Sequence, residues 1–149
     1  MIRTTKTEDM NALQLSIIRA IEISGLRMTA VYLHGSFGTE YLRADSDIDL
    51  AFLSERPLTF DESMSFSAAL QMDGGEFNVD VADLRRCDTV FVAHVVTSGE
   101  CLYTDDETAV HRFEMTALSK YARLNEEREA IISDIKRRGS VFISEARPA

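Results

Sequence analysis

The sequence predicts a single α/β domain of the α+β type, in which a small sheet is flanked by helices and extended by a C-terminal helix. Three observations predict this fold. Short apolar segments at residues 28–34, 47–54 and 77–82 have the length and composition of buried strands. Segments that open with helix-capping residues separate these strands and follow them. The last apolar periodicity, over about residues 105–139, has helical spacing.

The chain has 149 residues, of which 45% are apolar and 28% charged, as is ordinary for a soluble globular protein. We therefore assign residues 1–149 to one domain, with a core at about residues 28–104 and a C-terminal helix at about residues 105–139. Cys87 and Cys101 have no metal-ligand spacing, and we expect both to be free thiols.

The net charge of −9 argues against a nucleic-acid polymer as the direct substrate, because a protein that grips many phosphates needs a basic face. An acidic chain would suit a basic protein partner. No apolar run approaches the length of a membrane span, and the N-terminus has no signal-peptide core. These features predict a cytoplasmic protein without membrane contact.

The first helix is predicted over about residues 5–22. Thr5 and Glu8 have the spacing of a capping box, and Gly25 is suited to end the helix. One face of this helix is apolar, so we expect it to be buried. Its members are Met10, Leu13, Ile17, Ala20 and Ile21.

The second helix is predicted over about residues 59–72, because Thr59 and Glu62 form another capping box. The apolar run at residues 90–98 fits either a strand or a buried helix. We favour a short helix that ends at Ser98-Gly99, followed by the strand Cys101-Leu102-Tyr103. The candidates for burial in the second helix are Phe60, Met64 and Ala68.

The C-terminal helix is predicted from a third capping box, Thr104 and Glu107, to a stop near Gly139. Its length fits one long helix or two helices with a bend. Its apolar positions recur at helical spacing and include Val110, Phe113, Ala117, Tyr121, Leu124, Ile131, Ile132 and Ile135.

A Gly-Ser pair and two aspartates form the centre of the chain. Gly35-Ser36 follows the first strand, and Asp47 and Asp49 begin the second. Side chains alternate along a strand, so the two carboxylates share a face and lie about 7 Å apart. Glycine lets the backbone approach a phosphate, and the serine hydroxyl can donate a hydrogen bond to it. This combination predicts a seat for a divalent cation and a phosphate.

A pair of Mg²⁺ ions, about 4 Å apart, usually needs a third carboxylate. Asp80 lies inside the third strand and shares a face with Asn78 and Ala82. Asp83 competes with it, but strand alternation places Asp83 on the opposite face or beyond the strand end. Alternation therefore favours Asp80 as the third ligand and leaves Asp83 as the alternative.

Several basic residues near these strands have both a functional and a structural interpretation. Arg85 and Arg86 close the third strand and could meet a triphosphate, but a solvated strand end is the favoured interpretation. For Arg43 we give more weight to phosphate contact, because it lies in the loop between the Gly-Ser pair and the aspartates. His34 abuts that pair, and a structural role is favoured over contact with substrate.

Gly35-Ser36, ten intervening residues and Asp47-Ile48-Asp49 together resemble the signature of the polymerase-β-like nucleotidyltransferase superfamily. The small size and the strand of residues 79–84 are similar to the minimal nucleotidyltransferases, in particular the MNT-domain antitoxins that pair with HEPN-domain ribonuclease toxins. The segment of residues 121–128 resembles the closing helix of those antitoxins. The resemblance spans about residues 28–139.

The resemblance implies a mixed sheet and an Mg²⁺-dependent transfer of AMP from ATP to a tyrosine hydroxyl of a partner HEPN toxin, which neutralises the toxin. It also implies a nucleotide-binding protein that assembles into a homo- or hetero-oligomer. The residues that would act in catalysis and hold two Mg²⁺ ions are Asp47, Asp49 and Asp80, and those that would bind ATP are Gly35, Ser36 and Arg43.

Thr39-Glu40 departs from the pattern of many relatives, which carry an arginine and a glycine shortly after the Gly-Ser pair. The acidic residue bears on the phosphate contacts and the turnover rate. Two alternatives to the antitoxin enzyme stay open. One is a small-molecule adenylyltransferase of the aminoglycoside-modifying kind, whose members usually carry a further domain. The other is a catalytically weak antitoxin that acts by covering its partner.

Overall fold

The computed structural model describes residues 6–35, 48–74 and 78–139. Within these ranges, helices and strands alternate along most of the chain, and a short 3₁₀ turn, Leu84–Arg86, follows the third strand. In chain order the elements are α1 (Lys6–Ser24), β1 (Met28–His34), β2 (Ile48–Ser54), α2 (Phe60–Gly74), β3 (Val79–Asp83), α3 (Thr89–Ser98), β4 (Glu100–Thr104) and α4 (Glu107–Arg138).

The strands form one mixed sheet in the order β3-β2-β1-β4. β1 pairs antiparallel with both β2 and β4, whereas β2 and β3 are parallel. A parallel pair needs a crossover connection, and α2 lies in the connection between β2 and β3. The predicted fold class, a small mixed sheet flanked by helices with a C-terminal helical extension, is confirmed.

Strand alternation divides the core into two layers. Val31, Leu50 and Phe52 pack on one face of the sheet with residues of α1 and α2. Tyr32 and Ala51 pack on the other face with residues of α3 and α4. The polar positions of β2 and β3 that matter for function belong to this second face, which we call the α3 face.

The predicted apolar side of α1 is buried as expected: Leu13, Ile17 and Ala20 are in the core. Gly25 ends the helix with φ +69°, and its N–H donates to the carbonyl of Ile21 at 3.0 Å. The capping box predicted at Thr5 lies outside the described side chains.

In α2 the predicted capping box is present, but the predicted buried face is wrong. The N–H of Thr59 donates to Glu62 Oε1 at 2.9 Å, and the N–H of Glu62 donates to Thr59 Oγ1 at 3.2 Å. Phe60 and Met64 are 67% and 53% exposed, and Ala68 is exposed as well. The buried residues are Phe66, Ala69 and Leu70, because Phe66 packs edge-on against Phe52 of the sheet with 5.3 Å between ring centroids.

The C-terminal segment forms one helix without a break. Its N-cap is Asp106, whose Oδ1 accepts from the N–H of Ala109 at 3.1 Å, so the capping box predicted at Thr104 is wrong. The Thr104 hydroxyl oxygen accepts from the N–H of Asp106 instead, at 3.1 Å. Val110 is buried in the first part of the helix.

The second part of α4 extends past the sheet. A helix of 32 residues is about 48 Å long, roughly twice the length of the longest strands. Ile131 and Ile132 are therefore 59% and 49% exposed, although they continue the apolar periodicity of the buried part. A partly buried hydrogen bond connects the first part to the sheet, from the Tyr32 hydroxyl to Glu114 Oε2 at 2.9 Å. Within the described ranges, no helix has the length and apolar content to cross a membrane.

Candidate active site

Three polar side chains lie side by side across three neighbouring strands. His34, the last residue of β1, pairs in register with Asp49 of β2. Asp49 in turn pairs in register with Asp80 of β3. Adjacent strands are about 4.7–4.9 Å apart, and all three side chains belong to the α3 face, so they form one continuous polar row. Two of the three carboxylates predicted from the sequence are thus brought together.

Gly35 continues directly from this row and closes over Asp49. It has φ +85°, a conformation that side chains other than glycine rarely adopt. A Cβ atom at this position would lie 2.5 Å from Asp49 Oδ2. A side chain at this position would therefore require the Asp49 carboxylate to turn away, and the positive φ independently favours glycine.

The polar row opens into a cleft of about 540 Å³. The floor is formed by the strands, and one wall is the beginning of α3 with its N-cap. The residues that line it are His34, Asp49, Leu50, Asp80, Ala82, Cys87, Asp88 and Phe91. A substrate can thus reach both carboxylates from solvent.

Several predicted site residues lie outside the described residues. They include Asp47, Ser36 and Arg43, together with Thr39-Glu40 and the short helix predicted around residues 37–42. Their assignments stay predictions. Within the described ranges, no group of three or more His, Cys, Asp or Glu side chains is arranged to hold a metal ion.

The structure separates the roles of Asp80 and Asp83. Asp83 Oδ1 caps the 3₁₀ turn by accepting from the N–H of Arg85 at 2.9 Å. Its Oδ2 lies 3.8 Å from Arg86 Nε. Asp83 is an odd number of residues from Asp80 and points to the opposite face of β3. Asp83 therefore has a structural role, and Asp80 is the carboxylate that lines the cleft.

The two arginines that close β3 also have structural roles. Arg85 donates from Nε to the Ser54 carbonyl at 3.0 Å and from a terminal nitrogen to the Glu55 carbonyl at 3.1 Å. Arg86 donates to the Leu58 carbonyl at 2.6 Å. Ser54 ends β2 at the opposite end from Asp49, so these side chains fasten the chain away from the cleft. Phosphate contact, the less favoured interpretation, is not supported for either arginine.

Sequence patterns did not predict a functional role for the wall residues Asp88 and Phe91. Asp88 Oδ1 accepts from the N–H of Phe91 at 2.7 Å and so caps α3. Phe91 meets His34 edge-on, with 5.3 Å between ring centroids. A capping residue directly before an apolar run was the available signal for the helix start. Its position beside the carboxylates depends on the sheet order and could not be read from the pattern.

Cys87 is the one thiol among the described residues that line the cleft, but its environment disfavours a thiolate. Burial raises the pKa of the Cys87 thiol, and the charges of Asp83 and Asp88 raise it further. The Sγ donates to the Asp83 carbonyl at 3.1 Å. Both cysteines are free thiols, as predicted. The chemistry of the cleft therefore rests on its carboxylates.

Two carboxylates on neighbouring strands, beside a backbone cradle, match the oxygen ligands that Mg²⁺ prefers. A Cβ atom at Gly35 would collide with the Asp49 carboxylate, and Nε2 of His34 is enclosed with no hydrogen-bond partner in the described ranges. Both features fit a site completed by a bound group. Asp49 and Asp80 would hold a divalent cation, and Gly35 would face the phosphates.

Comparison with known proteins identifies a family, a relative and two solved structures. A family model described as polymerase beta nucleotidyltransferase matches residues 18–108. The protein adenylyltransferase MntA of Shewanella oneidensis is 32% identical over 126 residues, which cover 80% of this chain and 84% of that protein.

Two solved structures have the same fold. One is a tri-AMPylated Shewanella oneidensis HEPN toxin in complex with an MNT antitoxin, with a TM-score of 0.67, 28% identity, and coverage of 85% of this chain and 98% of that chain. The other is a toxin–antitoxin complex with AMP-PNP, with a TM-score of 0.68, 29% identity, and coverage of 83% of this chain and 98% of that chain.

Proposed function

Because the chain belongs to the polymerase β nucleotidyltransferase family, in its MNT antitoxin branch, we propose that it transfers AMP from ATP to a tyrosine hydroxyl of a partner HEPN toxin. The transfer neutralises the toxin. The resemblance inferred from the Gly-Ser and Asp-x-Asp motifs is thereby confirmed at the level of the family. The AMP transfer would take place in the cytoplasm, in a hetero-oligomer of this chain with the toxin.

One observation carries the proposal: Asp49 and Asp80 lie in register on neighbouring strands, under the backbone of Gly35, in an open cleft. In phosphoryl transfer the protein performs little covalent chemistry and acts mainly by positioning the reactants and neutralising charge. Carboxylates fixed on two strands of a sheet supply such positioning. An adenylyltransferase relative and a related complex with AMP-PNP support ATP as the donor.

The reaction forms a bond between the acceptor oxygen and the α-phosphorus and breaks the bond from the α-phosphorus to the bridging oxygen. Pyrophosphate leaves with that electron pair, and the acceptor proton passes towards Asp80 or solvent.

Bound magnesium would neutralise charge on the triphosphate. Asp49 and Asp80, with Asp47 of the same motif, would hold two such ions. Gly35 and Ser36 would cradle the β- and γ-phosphates, and Arg43 would contact the triphosphate.

The proposal is tested with labelled ATP, Mg²⁺ and the HEPN-domain protein encoded beside this chain. We expect label on the partner from wild type and none above background from Asp49→Asn or Asp80→Asn. Asp61→Asn is the matched control, because Asp61 is exposed on α2, on the other face of the sheet, and its loss should leave labelling unchanged.

Three outcomes would contradict the proposal. Absence of label on the partner from wild type would exclude protein adenylylation under these conditions. A variant Asp49→Asn that protects cells from the toxin as well as wild type would favour neutralisation by covering the partner. Labelling of a purified aminoglycoside in place of the partner would favour the small-molecule adenylyltransferase.

A further inference from the structure

His34 presents an unexplained feature at the centre of the cleft. Its Nε2 is enclosed and has no hydrogen-bond partner among the residues that the structure describes. The imidazole meets Phe91 at an interplanar angle of 89°, so the aromatic contact fixes the ring but satisfies neither nitrogen. Enclosing a polar nitrogen without a partner is unfavourable. A hydrogen-bond partner that reaches Nε2 only when the site holds its ligand would remove this cost.

Asp49 is the neighbour best placed to supply that partner. Residues directly opposite on antiparallel strands have Cβ atoms about 4.5–5.5 Å apart, and His34 and Asp49 are such a pair on the α3 face. Within the described part of the chain, the Asp49 carboxylate accepts no hydrogen bond. The imidazole N–H and the carboxylate are therefore complementary groups within reach of each other after a side-chain rotation.

Gly35 restricts where that carboxylate can go. The backbone of Gly35 already lies against Asp49 Oδ2, so the carboxylate is bounded by backbone on one side. Asp80 stands on the next strand on the other side of Asp49 from His34. A carboxylate that turns towards Asp80 to share an ion would present its remaining oxygen towards the imidazole.

We propose that His34 is a positioning residue that donates a hydrogen bond to the Asp49 carboxylate when a divalent cation is held, and so selects the oxygen that faces the ion. The inference rests on the proposed function and deepens it. Metal-binding carboxylates are commonly oriented by a hydrogen bond from a neighbouring group. His34 is not itself a ligand, because Mg²⁺ prefers oxygen and the unsatisfied nitrogen is enclosed.

The test compares His34→Phe, which keeps an aromatic edge against Phe91 and removes the donor, with His34→Gln, which keeps an N–H donor. Mn²⁺ affinity is measured by electron paramagnetic resonance on the full chain with AMP-PNP, so no turnover is needed. We expect His34→Phe to weaken Mn²⁺ binding about 10–100-fold and His34→Gln to stay near wild type. His94→Phe, on the exposed side of α3, is the control and should match wild type.

Thermal unfolding without metal or nucleotide separates positioning from a merely structural role. His34→Phe should melt at or above the wild-type temperature, since the variant has no unsatisfied nitrogen to bury. If wild type binds Mn²⁺ with AMP-PNP and His34→Phe binds it equally well, the inference is overturned while the proposed function stands. If wild type itself binds no Mn²⁺ with AMP-PNP, the proposed function fails and the inference fails with it.

Discussion

Replacement of Gly35 by alanine should damage the site far more than the fold. The positive φ of Gly35 would cost an alanine about 1–2 kcal/mol, which for a chain of this size lowers the melting temperature by about 2–8 °C. The added Cβ would lie 2.5 Å from Asp49 Oδ2, so the carboxylate must turn away. Since a displacement of about 1 Å can cost about 100-fold in rate, we expect AMP transfer to fall by about that factor.

Gly25→Ala is the matched control for this prediction. Gly25 also has a positive φ, +69°, but nothing lies within 4 Å of its Cβ position. Both variants therefore carry the backbone strain, and only Gly35→Ala collides with the carboxylate. Melting curves by circular dichroism and initial rates of AMP transfer are measured on both. Equal rates for the two variants would refute the argument that Gly35 is required by its approach to Asp49.

Three further predictions concern stability. Tyr32→Phe removes the hydroxyl that donates to the Glu114 carboxylate of α4 at 2.9 Å, and it should lower the free energy of unfolding by about 1.5–3 kcal/mol. An unchanged midpoint of urea unfolding would contradict this prediction. The hydrogen bond from Arg56, together with the cap at the start of α2, lowers the pKa of Glu62 from 4.5 to about 2. The ionised Glu62 therefore contributes to folding stability above pH 4.5, and this contribution is lost as pH falls towards 2. The stability difference between wild type and Glu62→Gln should shrink over that window, and a constant difference would refute it. Phe66→Ala should lower the free energy of unfolding by about 3–5 kcal/mol, whereas Phe60→Ala, at an exposed position, should change it by no more than about 0.5 kcal/mol. The reverse order would contradict the buried face observed for α2.

Local patterns were sufficient to predict most elements. The strands, the capping box of α2 and the stop at Gly25 each depend on residues close together in sequence, so composition and spacing determine them. The choice of Asp80 over Asp83 also followed from alternation within one strand, and the structure explains Asp83 through its cap on the 3₁₀ turn. The fold class needed no more than these local features and the family resemblance.

Features that depend on competition between neighbours could not be predicted. Thr104 and Asp106 are both good N-caps two residues apart, and the sequence pattern does not say which one the chain geometry selects. The apolar side of α2 was ambiguous because Phe60 and Phe66 point in different directions, and only contact with the sheet decides between them. The approach of Phe91 to the carboxylates required the strand order.

The register of β2 against its two neighbours, β1 and β3, determines both the stability of the sheet and the placement of Asp49. Side chains alternate along β2, so a slip of one residue against β1 would send the Asp49 side chain into the apolar layer under α1 and α2 and turn the Leu50 side chain to the α3 face. An ionised carboxylate buried there without a partner would be strongly destabilising. Misaligned chains are therefore unstable rather than folded and inactive, and a chain that reaches the native sheet already has Asp49 and Asp80 facing the cleft.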